Sequence, residues 1–210
     1  MILKRLYFYL CIISLYGFVP TSHAEQKLNL LVVGDSLSAA YNLAEEQGWV
    51  YLLQQRIDLQ SEYGARYRVV NASVGGATSA AALQRIPSLL QQYQPHIVIL
   101  EMGANDGLQG KPIPYITRNL GKLIELSQKA GAKVVLTGIH LPPNYGKRYT
   151  EPFFNQYKLL SREYDLPLVP FLLEDVATHN HLMQADRLHP TAEAQSIVLD
   201  NVWVILEKLM

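Results

Sequence analysis

Apolar residues fall along this chain in two alternating textures. Short, nearly unbroken runs occur at Leu28–Val33, Tyr67–Asn71, Ile97–Glu101, Lys133–Gly138 and, more weakly, Leu168–Val169. Between them apolar positions recur every three or four residues. Leu83, Ile86, Leu90 and Tyr93 form one such face, and Leu120, Leu123, Ile124 and Ser127 begin another. The first texture predicts strands and the second amphipathic helices. Pro112 and Pro114 suit the entrance to the second helix, where a missing N–H costs nothing, and Gly131 suits its stop. A final helix is expected after Pro190, with Ala194, Ile197, Val198, Ile205 and Leu209 turned inward. Runs that are apolar on both faces, each followed by a helix, predict a parallel sheet covered on both sides. The expected fold is α/β: a three-layer α/β/α sandwich of the flavodoxin-like kind, with a central parallel sheet of about five strands.

The first 24 residues do not follow this rhythm. Lys4 and Arg5 precede the almost wholly apolar Leu6–Val19, and Ser22-His23-Ala24 resembles a small-x-small cleavage site. This reads as a signal peptide over residues 1–24, followed by a single domain over 25–210 and a periplasmic or secreted location. The apolar run is shorter than the roughly 20 residues that cross a bilayer, so no stable membrane span is expected after processing. Cys11, the only cysteine, lies inside this segment, and no small-residue pair precedes it as a lipoprotein site would require. Its removal leaves no thiol for a disulfide or a nucleophile. The full chain balances 18 bases against 18 acids, and loss of Lys4 and Arg5 leaves a net charge of about −2. No basic block with interleaved aromatics points to nucleic acid.

Three segments carry the chemistry. Gly34-Asp35-Ser36-Leu37-Ser38 places a serine just past the first expected strand. Asp186-Arg187-Leu188-His189 spaces a carboxylate and an imidazole by three residues, and Gly103-Ala104-Asn105-Asp106 follows the third strand. A serine hydroxyl needs a base to take its proton, and an imidazole needs a partner to hold its tautomer and stabilise its cation. Ser36, His189 and Asp186 supply these roles. Ser36 could instead cap a helix. Ser73 is the rival serine, but the Gly-x-Ser-x-Gly elbow is absent, and a turn residue before Gly75-Gly76 is the expectation. His96, His140, His179 and His181 compete with His189, yet none has a carboxylate at a usable offset in a loop. His179-x-His181 is too small a set to imply a metal. Ligand sites in open α/β sheets lie beyond the carboxyl ends of the strands, and Ser36, Gly76 and Asn105 each follow such an end.

These residues, with Val74-Gly75-Gly76-Ala77-Thr78 and Asp186-Arg187-Leu188-His189-Pro190, resemble the four sequence blocks of the SGNH (GDSL) hydrolases, in that family's order and from about Leu28 to the chain's end. Gly34–Ala39, Asn71-Ala72-Ser73, Asn105–Leu108 and Leu141-Pro142-Pro143-Asn144-Tyr145-Gly146 are most similar to the bacterial periplasmic acyl-CoA thioesterase/lysophospholipase/arylesterase group. Ala40 stands where a glycine is common, and Ala77 where the nearest relatives carry an acid. The resemblance implies a serine esterase or thioesterase acting on lysophospholipids, aryl esters and acyl-CoA through an acyl-enzyme, with catalytic Ser36, Asp186 and His189. The backbone N–H groups of Ser36 and Gly76 and the side-chain amide of Asn105 would form an oxyanion hole. Asn105-Asp106-Gly107 otherwise reads as a turn. Leu108, Leu141 and Tyr145 are candidates to line an acyl groove. The expected partner is a small-molecule or lipid ester; no metal and no cofactor are implied. The competing readings are a carbohydrate or cell-wall O-deacetylase and, outside enzymes, a silent flavodoxin-like binding module.

Overall fold

The computed structural model describes residues 27–64 and 66–210, so the signal-peptide reading of residues 1–24 lies outside it. Within the described residues five strands, β1 (Leu28–Gly34), β2 (Tyr67–Asn71), β3 (Ile97–Glu101), β4 (Lys133–Thr137) and β5 (Leu168–Val169), form one sheet in the order β2-β1-β3-β4-β5. Every neighbouring pair is parallel. The strands match the apolar runs to within a residue: β1 extends to Gly34, and β4 stops at Thr137.

Among the described residues six α-helices surround the sheet: α1 (Trp49–Leu59), α2 (Ser79–Tyr93), α3 (Ala104–Leu108), α4 (Ile113–Lys129), α5 (Lys147–Glu163) and α6 (Gln195–Leu206). Alternate residues of each central strand feed two separate cores. Leu31 and Val33 of β1, with Val98 and Leu100 of β3, pack under α2, α4 and α5. Leu30, Val32, Ile97 and Ile99 pack under α1 and α6. This two-sided burial is why the strands read as unbroken apolar runs. Truncating Ile99 or Leu100 to alanine would cost roughly 2–5 kcal/mol.

Pro112 and Pro114 flank the first residue of α4, and Gly131 follows its end with φ +88°. The C-terminal helix differs from expectation. Residues 192–194 form a turn after Pro190 and α6 starts at Gln195, so the buried row is Ala194, Val198, Leu199, Val202 and Leu206. Ile197, Ile205 and Leu209 are only partly buried at its edge.

The strand order makes β1 and β3 neighbours although β2 lies between them in sequence. The chain leaves β1 across one face of the sheet and β3 across the other. Crevices at such reversals are the usual ligand sites of open α/β sheets. Gly34 and Glu101, the last residues of β1 and β3, are register partners at that edge.

Candidate active site

Ser36 sits in a series of turns between β1 and α1, not at a helix N-terminus. The turn is built from Asp35, whose Oδ1 accepts the Leu37 N–H at 3.0 Å. Leu37 is buried in the α1/α6 core and pins the turn to the sheet. The Ser36 carbonyl accepts the Tyr41 N–H at 3.3 Å. Ala40 and Asn42 then take left-handed conformations, with φ of 54° and 56°. Ala40 thus meets under strain a backbone demand that a glycine would meet freely.

The loop after β5 carries the other two groups. Met183 and Pro190 pair across it in an antiparallel bridge, and the Gln184 N–H donates to the His189 carbonyl at 2.8 Å. The Gln184 amide donates to Pro190 O at 2.9 Å and to Tyr41 O at 3.0 Å, tying this loop to the serine turn. Asp186 Oδ1 accepts the N–H groups of Leu188 at 2.9 Å and His189 at 3.0 Å. Its Oδ2 lies 2.7 Å from His189 Nδ1, and His189 Nε2 lies 2.8 Å from Ser36 Oγ. Burial pushes the Asp186 carboxyl up, but those N–H donors and the imidazole outweigh it and hold the group below the usual range. With Nδ1 donating to this carboxylate, Nε2 is left as the acceptor for the serine proton. The Tyr41 ring covers the imidazole at a centroid distance of 4.3 Å.

Asn105 is the second residue of the short helix α3; residues 105–107, which otherwise read as a turn, are helical. Gly103 precedes it with φ +116°, and a Cβ there would come within 2.6 Å of the Tyr157 hydroxyl. The Asn105 amide donates to Asp35 Oδ2 at 3.0 Å and to the Ala77 carbonyl at 3.1 Å. The glycine loop is therefore tied to Asn105. A second tie comes from Asp106, whose carboxylate accepts the Ser79 N–H at 2.7 Å and the Ser79 hydroxyl at 2.8 Å. Gly76 is exposed, with φ +73° and open space where a side chain would project.

Below Ser36 lie groups that the motif reading passed over. Asp35 and Glu101 are both fully buried. Burial raises the Asp35 carboxyl to about 6, against the opposing pull of the Leu37 N–H, and pushes Glu101 well above the usual carboxylate range. The sequence trace of this feature is a glutamate closing the otherwise apolar run Ile97-Val98-Ile99-Leu100. Tyr41 and Gln184 left no comparable trace, because their roles arise only when two distant loops meet.

The remaining candidates lie apart from this relay. The Ser73 N–H donates to Asn71 Oδ1 at 3.1 Å, and the Ser73 hydroxyl is buried without a partner among the described residues. His140 stacks on Phe154 at 3.5 Å and meets Phe171 edge-on, and burial lowers its pKa, as it does for His96. The His179 and His181 rings stand 5.9 Å apart. Among the described residues no group of three or more His, Cys, Asp and Glu side chains is placed to hold a metal ion. Of the groove candidates, Tyr145 is exposed, Leu108 is half-buried and Leu141 is buried against the space of Gly107. The Tyr145 hydroxyl donates to Leu108 O at 3.0 Å. A cavity of about 500 Å³ opens on the opposite side, between the serine turn, α1 and β2, lined by Ser38, Leu43, Tyr51, Gln54, Asn71 and Ser73.

A hydroxyl, an imidazole and a carboxylate in unbroken contact, at the carboxyl edge of a parallel sheet, define the class as serine hydrolase. The chain belongs to the GDSL-like lipase/acylhydrolase family, whose model matches residues 32–197. It is 48% identical to a Pseudomonas aeruginosa protein named esterase TesA, over 86% of this chain and 89% of the relative. It is 40% identical to the Escherichia coli protein named thioesterase 1/protease 1/lysophospholipase L1, over 89% of this chain and 86% of the relative. The crystal structure of a TesA superposes with a TM-score of 0.82 at 47% identity, covering 87% of this chain and 99% of that one. The protein is a hydrolase of ester bonds, and the silent-module reading is set aside.

Proposed function

We propose that Ser36 attacks the carbonyl carbon of an ester or thioester while His189 Nε2 takes the hydroxyl proton. The carbonyl electron pair moves onto oxygen, and the resulting anion is met by the N–H groups of Ser36 and Gly76 and by the Asn105 amide. Collapse breaks the bond to the alcohol or thiol, which leaves with the proton held by His189. Water then cleaves the acyl-enzyme with the same base. Asp186 keeps Nδ1 protonated and stabilises the transient imidazolium. The observation that carries this reading is the relay Ser36 Oγ–His189 Nε2 at 2.8 Å and His189 Nδ1–Asp186 Oδ2 at 2.7 Å.

The substrates are acyl esters and thioesters: lysophospholipids, aryl esters and acyl-CoA, as the relatives' names suggest. Residues 1–24 serve as a cleaved signal and 25–210 as the exported domain, so lipid and aryl esters suit its periplasmic surroundings better than acyl-CoA. Leu108 and Tyr145 line the acyl path, with Leu141 supporting it from beneath. Each enclosed methylene is worth about 0.8 kcal/mol, so medium-length esters should exceed acetyl esters in kcat/KM by roughly fourfold per carbon until the path is filled. A flat chain-length profile would favour the carbohydrate deacetylase. The decisive test is labelling with a fluorophosphonate. Ser36 should take the label, and its transfer to Ser73 in a Ser36→Ala variant would show the nucleophile to be misassigned. Secreted protein should begin at Glu25.

A further inference from the structure

The reaction described above uses Asp186 and leaves idle two carboxyl groups buried directly beneath the nucleophile. Asp35 and Glu101 approach because Gly34 and Glu101 are register partners across β1 and β3. Gly34 also provides the space, since a Cβ there would come within 2.7 Å of Glu101 Oε2. That oxygen accepts the Asp35 N–H at 3.1 Å and the Ser38 hydroxyl at 2.8 Å. Glu101 Oε1 is buried with no partner among the described residues. Asp35 accepts at both oxygens, from the Leu37 N–H at 3.0 Å and from the Asn105 amide at 3.0 Å. The bond from the Asp35 N–H to Glu101 Oε2 thus seats both carboxyl groups in one site closed to water.

Two ionised carboxylates cannot share a dry site at tolerable cost. Each carboxyl group accepts two hydrogen bonds, but Asp35 has a donor at each oxygen and Glu101 has both at Oε2; the charge is therefore better stabilised on Asp35, and the orphaned Glu101 Oε1 is the atom that gains from a proton. We infer that Asp35 and Glu101 hold a single proton between them, resident on Glu101, and that the remaining charge on Asp35 positions the Asn105 amide beside Ser36. Asp35 is the positioning residue, Glu101 carries the proton, and neither touches substrate. Burial raises both carboxyl groups, which favours retention of a proton in the pair. The other titratable groups facing the pair are His189 across the site and Tyr157 below, whose phenol burial keeps neutral. Both hydrogens of the Asn105 amide are committed at rest, one to Asp35 and one to the Ala77 carbonyl. A developing oxyanion can replace the neutral carbonyl while the stronger, charge-assisted bond to Asp35 holds the amide in plane. This positioning role rests on Asn105 as an oxyanion donor; the shared proton does not.

Infrared spectroscopy of the whole enzyme at neutral pH tests the proton without any substitution. A protonated-carboxyl C=O stretch is expected, shifting when glutamate carboxyl groups are labelled with carbon-13 and not when aspartate is labelled, and vanishing in Glu101→Gln. Absence of the band, or its survival in Glu101→Gln, overturns the shared proton. Steady-state kinetics tests the positioning. Asp35→Asn offers one carbonyl oxygen to two donors, so kcat should fall about tenfold to hundredfold with KM within about twofold. Glu101→Gln keeps a donor toward Asp35 and should stay within about threefold of native kcat. An unchanged kcat in Asp35→Asn, or a loss confined to KM, overturns the positioning role. If Asn105→Ala leaves kcat intact while the infrared band is present, the oxyanion assignment fails and the shared proton stands.

Discussion

Ser36 lies between two acidic regions that solve opposite electrostatic problems. On one side Asp186 rides an exposed loop, three residues from the imidazole it contacts, with its side chain 36% exposed. On the other, Asp35 and Glu101 are sealed from water, 66 residues apart in sequence, and meet only through strand register. Asp186 keeps its charge because a local turn aims two backbone N–H groups at one oxygen. The buried pair lacks enough donors for two charges, and its carboxyl groups are driven toward the neutral form. The number of N–H donors relative to burial, rather than residue type, sets what a carboxyl group can do here.

Asp186→Asn is the strongest test of this contrast. An amide at 186 no longer fixes the imidazole tautomer, and kcat should fall by roughly 10⁴-fold, as in other serine hydrolases with this relay. A loss smaller than that of Asp35→Asn would reverse the ranking of the two regions. Asn105→Ala, which severs the buried region from the reacting oxygen, should lower kcat by roughly 10²–10³-fold with KM nearly constant in ester-hydrolysis assays.

Stability against pH separates the regions by sign. The Asp35 carboxyl is raised from 3.8 to about 6, so between those values the folded protein binds more protons than the unfolded chain. Its contribution therefore declines as pH rises through that window, by up to about 3 kcal/mol. Asp186, held low, contributes stability above its ordinary value that is lost as pH falls through about 4 and below. Melting temperatures should show Asp35→Asn gaining on the native protein from pH 4 to pH 7, and Asp186→Asn gaining on it as pH falls below 4. Parallel shifts in the two variants would erase the distinction. The smallest effect is expected at Ala40→Gly, which relieves a left-handed alanine beside the site. The relief is about 1 kcal/mol or less, read as a slightly higher Tm, with the esterase rate constant within about twofold.

What could be read from the chain divides along the same line. The strands were legible to within a residue because two-faced burial leaves unbroken apolar runs. Asp186 and His189 were legible because three residues of one loop bring them together. Asp35 and Glu101 were not, since their contact requires knowing that β1 and β3 are neighbours in a given register. The inward row of α6 differs from the sequence expectation for a related reason: the turn at residues 192–194 displaces the helix start and so its phase. The place of Leu141 after β4 suggests a groove residue, but α3 folds over it and buries it, and no local pattern announces that short helix.

The 153 residues separating Ser36 from His189 also have a consequence in time. A growing polypeptide contains Ser36 long before it contains His189. Until the segment around His189 emerges from the ribosome and folds back against the end of β1, Ser36 lacks the imidazole that it contacts in the finished fold, and the proposed relay is incomplete. Latency during synthesis therefore needs no inhibitor, because the order of translation supplies it.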